Sequence, residues 1–487
     1  MKAKLPHSCI LTFRQYNVWN ILVNISQYSK KLFAQKDNEI NAVVLKTSLF
    51  GKVYVTAWEL VDMSYFAIQH SSRSPNAKLI ISENDFVNLY HVFDSYKNDL
   101  EGKLMNNYRR NFLLFVHCFG GEQTKLQMVK PQMDIYYRTM YILDVIMRRS
   151  FPDIRIEKIL NEKFDLSIEE FSTILFSSWA GASDRVVLLT DITNSKALLR
   201  ANNIIPVLDY YSCTLEEIIN SPLKRQIFYS KPLIKTSDNN YIVSNYYLLF
   251  FCFQECIYWI VRDYYYQQGS RKFTSAYGEC FESYFHELLQ QYLQKDQFER
   301  IPEGKTPKAD WKLTIGEYKI IVEQKSSLIY IDTKQQTPDI DKAISFVKNN
   351  WGKAIRQLSN TEKEFDDGQY IKIILVAEDY YADEVLDTVF QVDDNLPEND
   401  GRYWLVTIDM MEVLLYTYKH SPELFFEIME EKNRLELEHS NEGRSLFMII
   451  NKFGIESNKH IQQQKFIKYK DILYEIIKED LEEDKNE

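Results

Sequence analysis

The chain has 487 residues and a mass of 57.9 kDa, which sets an expectation of two to four domains at about 100–200 residues each. Hydrophobic residues make up 45% and charged residues 26%, a globular balance that excludes bulk disorder; 14 Gly and 12 Pro are too few for a collagen-like or turn-dense β chain. The formal net charge of −11 disfavours a protein that coats nucleic acid but leaves room for a local basic site.

Residues 1–150 read as a mostly helical N-terminal region. A hairpin or strand pair is expected near 42–57, a loop at 71–78 (SSRSPNAK), and a helix end at Gly120 and Gly121. The opening segment, MKAKLPHSCILTFRQY, lacks a signal-peptide core. Residues 151–270 read as a second helical region. Ser167 with Glu170 and Thr214 with Glu217 each fit a capping box, in which a hydroxyl and an acid three residues on satisfy each other's backbone amides. EKFDLSIEEFSTIL has the rhythm of helix, turn and helix. A plain helical hairpin is preferred over a DNA-reading unit, because only Arg148, Arg149 and Arg155 flank it with positive charge. The most apolar run, Tyr246 to Val261, is interrupted by Gln254 and Glu255, so it predicts a buried helix rather than a membrane span. The six cysteines, at 9, 118, 213, 252, 256 and 280, form no CxxC pair and lack zinc spacing. Buried, reduced thiols in a cytoplasmic protein are expected.

The texture changes at residue 271. A helical segment, SAYGECFESYFHELLQQYL, is followed by a connector, QFERIPEGKTPK. Two strand-like runs come next, ADWKLTI and YKIIVEQKSS, joined at Gly316-Glu317. A helix around 342–359, a strand YIKIILVAE and a strand RYWLVTI complete an α/β pattern over 271–420 with a central mixed sheet. Residues 421–487 read as a helical C-terminal segment. Its last stretch, 471–487, holds 8 acids against 2 bases and should be a solvated acidic tail.

Six Glu-x-Lys triplets occur, so the triplet alone means little. The one at Glu323 follows Ile320, Ile321 and Val322, and charges at the end of a buried strand are costly without partners or a metal. If Gly316-Glu317 is a two-residue turn with Gly first, Asp310 falls opposite Glu323, with Cβ atoms roughly 4.5–5.5 Å apart. Lys325 lies two residues on, on the same sheet face. Two carboxylates and a lysine would then converge where a hard cation could join them.

These elements resemble the PD-(D/E)xK nuclease superfamily, which includes many restriction endonucleases and phage-defence nucleases. The matching pieces are Glu282 in YGECFESYF, Asp310 in PKADW, Glu323 and Lys325 in VEQKSS, and Gln357 in KAIRQL, over roughly residues 275–415. The residue before the first Asp, a proline in the family pattern, is Ala309. The resemblance implies a restriction-endonuclease-like α/β domain behind a large, mainly α-helical N-terminal region. It implies Mg²⁺, with Mn²⁺ as substitute, held by Asp310, Glu323, the Gln324 carbonyl and Glu282. Lys325 would orient the attacking water, and Gln357 would support it or touch phosphate. Glu279 and His286 share the approximate helix face of Glu282 and are its alternatives.

The implied function is Mg²⁺-dependent hydrolysis of DNA, in antiviral defence against foreign DNA. Residues 300–363 carry 12 Lys and Arg against 8 Asp and Glu, which suits a phosphate backbone. DNA is preferred to RNA as partner, with protein docking or self-association through the helical N-terminal region and no membrane. The alternatives are an RNA-directed nuclease, or a non-catalytic partner-binding or sensor subunit that keeps the fold as a scaffold. Most of the 33 Tyr and 29 Phe fit core packing, with Trp311 and Tyr318 as candidate exposed exceptions.

Overall fold

The computed structural model describes residues 5–34, 42–47, 51–107, 133–181, 204–236, 240–326, 340–365, 368–377, 385–440, 443–455 and 457–462. The expected helix end at Gly120–Gly121, Cys118 and the acidic tail at 471–487 lie outside them.

The N-terminal region begins with helices α1 (Leu5–Phe13) and α2 (Val18–Ala34). The expected hairpin follows, as β1 (Ala42–Thr47) antiparallel to β2 (Gly51–Thr56). Helices α3 (Ala57–His70) and α4 (Glu83–Asn107) come next, with the loop at 71–78 between them. Helix α5 (Asp134–Met140) runs on into a π-helical turn, Tyr141–Met147. The pair α6 (Ile156–Phe164) and α7 (Ile168–Gly181) is a helical hairpin. Its Ser167–Glu170 box is closed in both directions, at 3.1 and 2.8 Å, and α7 buries Phe171, Ile174 and Leu175.

One feature of residues 151–270 was not expected from the helical reading. A small three-stranded sheet, ordered β3 (Ser212–Cys213), β4 (Leu233–Lys235) and β5 (Tyr241–Val243), interrupts the helices. The strands are two or three residues long, too short for alternation to signal them. The Thr214–Glu217 capping box follows β3 directly. The apolar run forms two buried helices, α8 (Tyr246–Gln254) and α9 (Cys256–Gln267), broken at Glu255. Among the described residues no helix is long and apolar enough to cross a membrane. The five described cysteines are all free thiols, four of them buried and Cys252 half-buried.

The second half is mixed α/β. Helix α10 (Lys272–Tyr292) buries Phe273, Ala276, Cys280, Tyr284, Leu288 and Tyr292, a stripe at helical spacing. A five-stranded sheet follows in the order β10–β9–β8–β7–β6. Strands β6 (Phe298–Arg300), β7 (Trp311–Ile315) and β8 (Tyr318–Lys325) are antiparallel neighbours, while β8, β9 (Ile371–Val376) and β10 (Tyr403–Thr407) run parallel. Strand β6 lies in what the sequence presented as a connector. Its side chains are half-buried or exposed, so it has no hydrophobic period to read.

Alternation sorts the sheet's two faces. Val322, Ile373 and Trp404 join the large core with α10, α14 (Ile408–His420) and α15 (Pro422–Leu437). Ile321, Ile374 and Leu405 pack on α11 (Ile340–Val347) and α12 (Lys353–Glu364), which are joined by a π-turn, and on α13 (Val385–Val392). The large core continues across residue 271 into Tyr136, Leu160, Phe171 and Ile257.

A buried charge network crosses the same line. Arg138 on α5 donates from Nε (2.6 Å) and a terminal nitrogen (2.7 Å) to the two oxygens of Glu412, and from that nitrogen to Asp409 (2.9 Å), both on α14. Tyr284 of α10 donates to Glu412, and Asn458 donates to Asp409 at 2.8 Å. His460 is fully buried between the hydroxyls of Tyr292 (2.7 Å) and Tyr284 (3.2 Å).

Candidate active site at the outer end of β8

The hairpin places the site. Gly316 has φ of +61°, and Glu317 is not among the positive-φ residues, the signature of a type II′ turn. From that turn the register runs Ile315↔Tyr318 to Trp311↔Val322, as expected. It then breaks. The Asp310 amide donates to the Val322 carbonyl at 2.9 Å, so Asp310 and Trp311 both face Val322. Two residues against one is the count of a β-bulge, which re-aims a side chain. This corrects the expected direct pairing of Asp310 with Glu323. Asp310 also bonds to the residue just after β6, its carbonyl accepting from the Ile301 amide at 2.9 Å, and its Oδ2 accepts from the Gln324 amide at 2.7 Å.

Glu323 is 3% exposed and stands on the α12 face of the sheet, beyond Ile321. Lys325, on the same face, donates to Glu323 Oε1 and to Gln357 Oε1, the latter at 3.3 Å. Gln357 comes from α12, and its Nε2 donates to the Lys308 carbonyl at 3.0 Å. One turn on, Thr361 Oγ1 accepts from the Ala309 amide at 2.8 Å. Helix α12 therefore clamps the strand entry at Lys308–Ala309 and reaches Lys325 with the same stripe of side chains.

Burial pushes the Glu323 carboxyl up to about 7; Lys325 opposes this and the charge of Asp310 adds to it. Asp310 is raised too, by burial, against the pull of the Gln324 amide, Lys325 and Arg300. Glu323 Oε2 is buried with no hydrogen-bond partner. A buried acceptor left unmet costs about 1–3 kcal/mol, which a cation there would offset.

The other expected residues sit as follows. Gln324 points to the opposite face, where its Oε1 accepts from Trp311 Nε1 at 2.8 Å and its Nε2 donates to the Phe281 carbonyl at 3.3 Å. Its side chain thus ties β8 to α10. Glu282 lies at the rim, paired with Arg300 at 2.8 Å. Its carboxyl is raised first by burial and then by the Asp310 charge. Glu282 also lines an open cleft of about 850 Å³ between α10 and β6, with Glu279, Arg300 and Glu303. That cleft does not include Glu323 or Lys325.

His286 is an aromatic neighbour of Trp311, with ring centroids 5.2 Å apart. Trp311 is 3% exposed, which corrects its placement as an exposed ring; Tyr318 is half-buried and stacks on Phe426. The sequence reading missed Arg300, Trp311 as an anchor of Gln324, and Thr361. The four-residue spacing of Gln357 and Thr361 on one helix was the available signal for the last.

Among the described residues no group of three or more His, Cys, Asp and Glu is gathered to hold a metal ion. The donor set is the buried carboxylate of Glu323 and the half-buried one of Asp310, with Glu282 at the rim. Such a set fits Mg²⁺, which binds through one or two carboxylates and keeps several waters. In comparisons with known proteins, no family model matches the chain, and no curated protein and no solved structure matches it.

Proposed function

We propose that this protein is a metal-dependent nuclease of the PD-(D/E)xK kind that hydrolyses phosphodiester bonds of DNA. One observation carries the reading. Glu323 and Lys325 stand together at the end of a buried strand beside Asp310, and one carboxylate oxygen is buried with nothing to bond. A purely structural ion pair would gain nothing from that orphan oxygen. The mixed five-stranded sheet with helices on both faces supports a restriction-endonuclease-like domain.

Asp310 and Glu323 would hold Mg²⁺, assisted by the Gln324 carbonyl and, from the rim, by Glu282. When bound, the ion supplies Lewis acidity and counter-charge for the developing phosphorane. Glu323 and Gln357 fix the Lys325 ammonium beside the carboxylates. There it orients the attacking water by hydrogen bond and neutralises charge on the phosphate. Gln357 is a positioning residue for Lys325 through its Oε1.

The test is cleavage of plasmid, linear duplex, single-stranded DNA and RNA in Mg²⁺ and in EDTA. Wild type should cut DNA only with Mg²⁺. Lys325→Ala and Glu323→Ala should lower the rate by at least about 10³, with unchanged circular dichroism. Equal cutting by either variant would overturn the site; cutting confined to RNA would reassign the substrate.

A further inference from the structure

The geometry points to Lys353 as a substrate-contacting residue, a cation that grips the backbone phosphate next to the one being cut. This rests on the nuclease reading above and names a further part of its site. Lys353 begins α12, and Lys353, Gln357 and Thr361 follow at four-residue spacing, which puts them on one stripe of the helix. The other two are placed by contacts. Thr361 meets Ala309, and Gln357 meets both the Lys308 carbonyl and Lys325. Lys353 is the next turn along the same stripe, on the order of 6 Å beyond Gln357. Its charge is felt by the Glu323 carboxyl, which it stabilises in the ionised form.

The neighbouring cations are already committed. Lys325 pairs with Glu323, Lys308 with Glu364 at 2.5 Å, and Arg356 with Asp393 at 2.7 Å. Lys353 is exposed and makes no salt bridge or hydrogen bond among the described residues. An ordinary surface lysine gains little from an ion pair, so its freedom alone would mean nothing. Its position matters more. It is the unpaired cation on the stripe that holds the catalytic lysine, at the rim of a site whose buried groups are acids. A phosphodiester entering that site brings further negative charge. Lys353 supplies attraction at the entry without competing for the buried carboxylates. Lysine suits the task, because a point charge on a flexible stem tolerates any base sequence along the backbone.

The experiment compares wild type, Lys353→Ala, Lys353→Glu and Lys353→Arg. Binding of a fluorescent DNA duplex is measured by anisotropy across a salt series, with Ca²⁺ replacing Mg²⁺ to stop turnover. Cleavage kinetics are measured in parallel with Mg²⁺, and cation affinity by Mn²⁺ titration. Lys353→Ala should weaken duplex binding about three- to tenfold and reduce the salt slope by about 1. Lys353→Glu should weaken it further, and Lys353→Arg should restore it. The loss should appear in KM rather than kcat, with Mn²⁺ affinity unchanged at about pH 8, where Glu323 is ionised with or without Lys353. If wild type binds or cuts DNA and Lys353→Ala matches it in affinity and salt slope, the inference about Lys353 fails while the nuclease reading stands. If wild type neither binds nor cuts, both are overturned.

Discussion

Glu323 carries two demands that pull in opposite directions. Burial favours its protonated form, whereas the proposed role as a Mg²⁺ ligand requires the ionised one. With the folded-state carboxyl at about 7 against an ordinary 4.5, the folded protein holds a proton that the unfolded chain releases between those values. The stability contribution is therefore fully present below 4.5 and is lost as pH rises to about 7, by on the order of 3 kcal/mol. Glu323→Gln should remove that decline, so in EDTA its denaturant midpoint should exceed that of wild type at about pH 8 and match it near pH 4.5. A bound cation must displace the same proton. Mn²⁺ affinity should thus rise about tenfold per pH unit up to about pH 7 and then level off, which isothermal titration at several pH values would reveal.

The hairpin and α12 divide the work of building the site. The turn was legible in the sequence because Gly316-Glu317 supplies the one positive φ that a type II′ turn needs, and it fixed five cross-strand pairs correctly. The expected pairing of Asp310 failed one step later. The bulge depends on bonds from Ile301 to Asp310 and from Ala309 to Thr361, neither of them local, and no hydrophobic period encodes such contacts. Strand β6 was missed for the related reason that an edge strand with exposed side chains reads as loop. Glu323 and Lys325 were legible because strand alternation puts them on one face; Gln357 was named from the family resemblance, and α12 brings it to Lys325. The pairing of Glu282 with Arg300 was not legible, because residues 282 and 300 lie on separate elements. A Cβ at Gly316 would sit 2.6 Å from the Phe426 ring at a φ of +61°. Gly316→Ala should therefore cost about 1–3 kcal/mol, measured as a lowered thermal midpoint, and should loosen the register that aims Glu323.

At the scale of the molecule, the halves before and after residue 271 are one packed object. Arg138 and Glu412 are 5% and 0% exposed, and the cation is the acid's bidentate partner. Arg138→Met leaves a buried carboxylate without its counter-charge and should destabilise the protein by about 3–5 kcal/mol. Adding Glu412→Gln should recover much of that loss, since the pair rather than either charge alone is tolerated; chemical denaturation of wild type, Arg138→Met, Glu412→Gln and the double variant closes the cycle.

The same network sets a schedule for the newborn chain. Arg138 leaves the ribosome 274 residues before Glu412, and His460, which caps Tyr284 and Tyr292 on the helix that carries Glu282, emerges later still. Contacts of such span form late. A nascent chain halted before Glu412 has Arg138 waiting without its acid and α10 without its far support, so stalled chains should be readily digested by protease until the segment through His460 has emerged. For the nuclease proposed above, the site would lack that support until the segment through His460 is made.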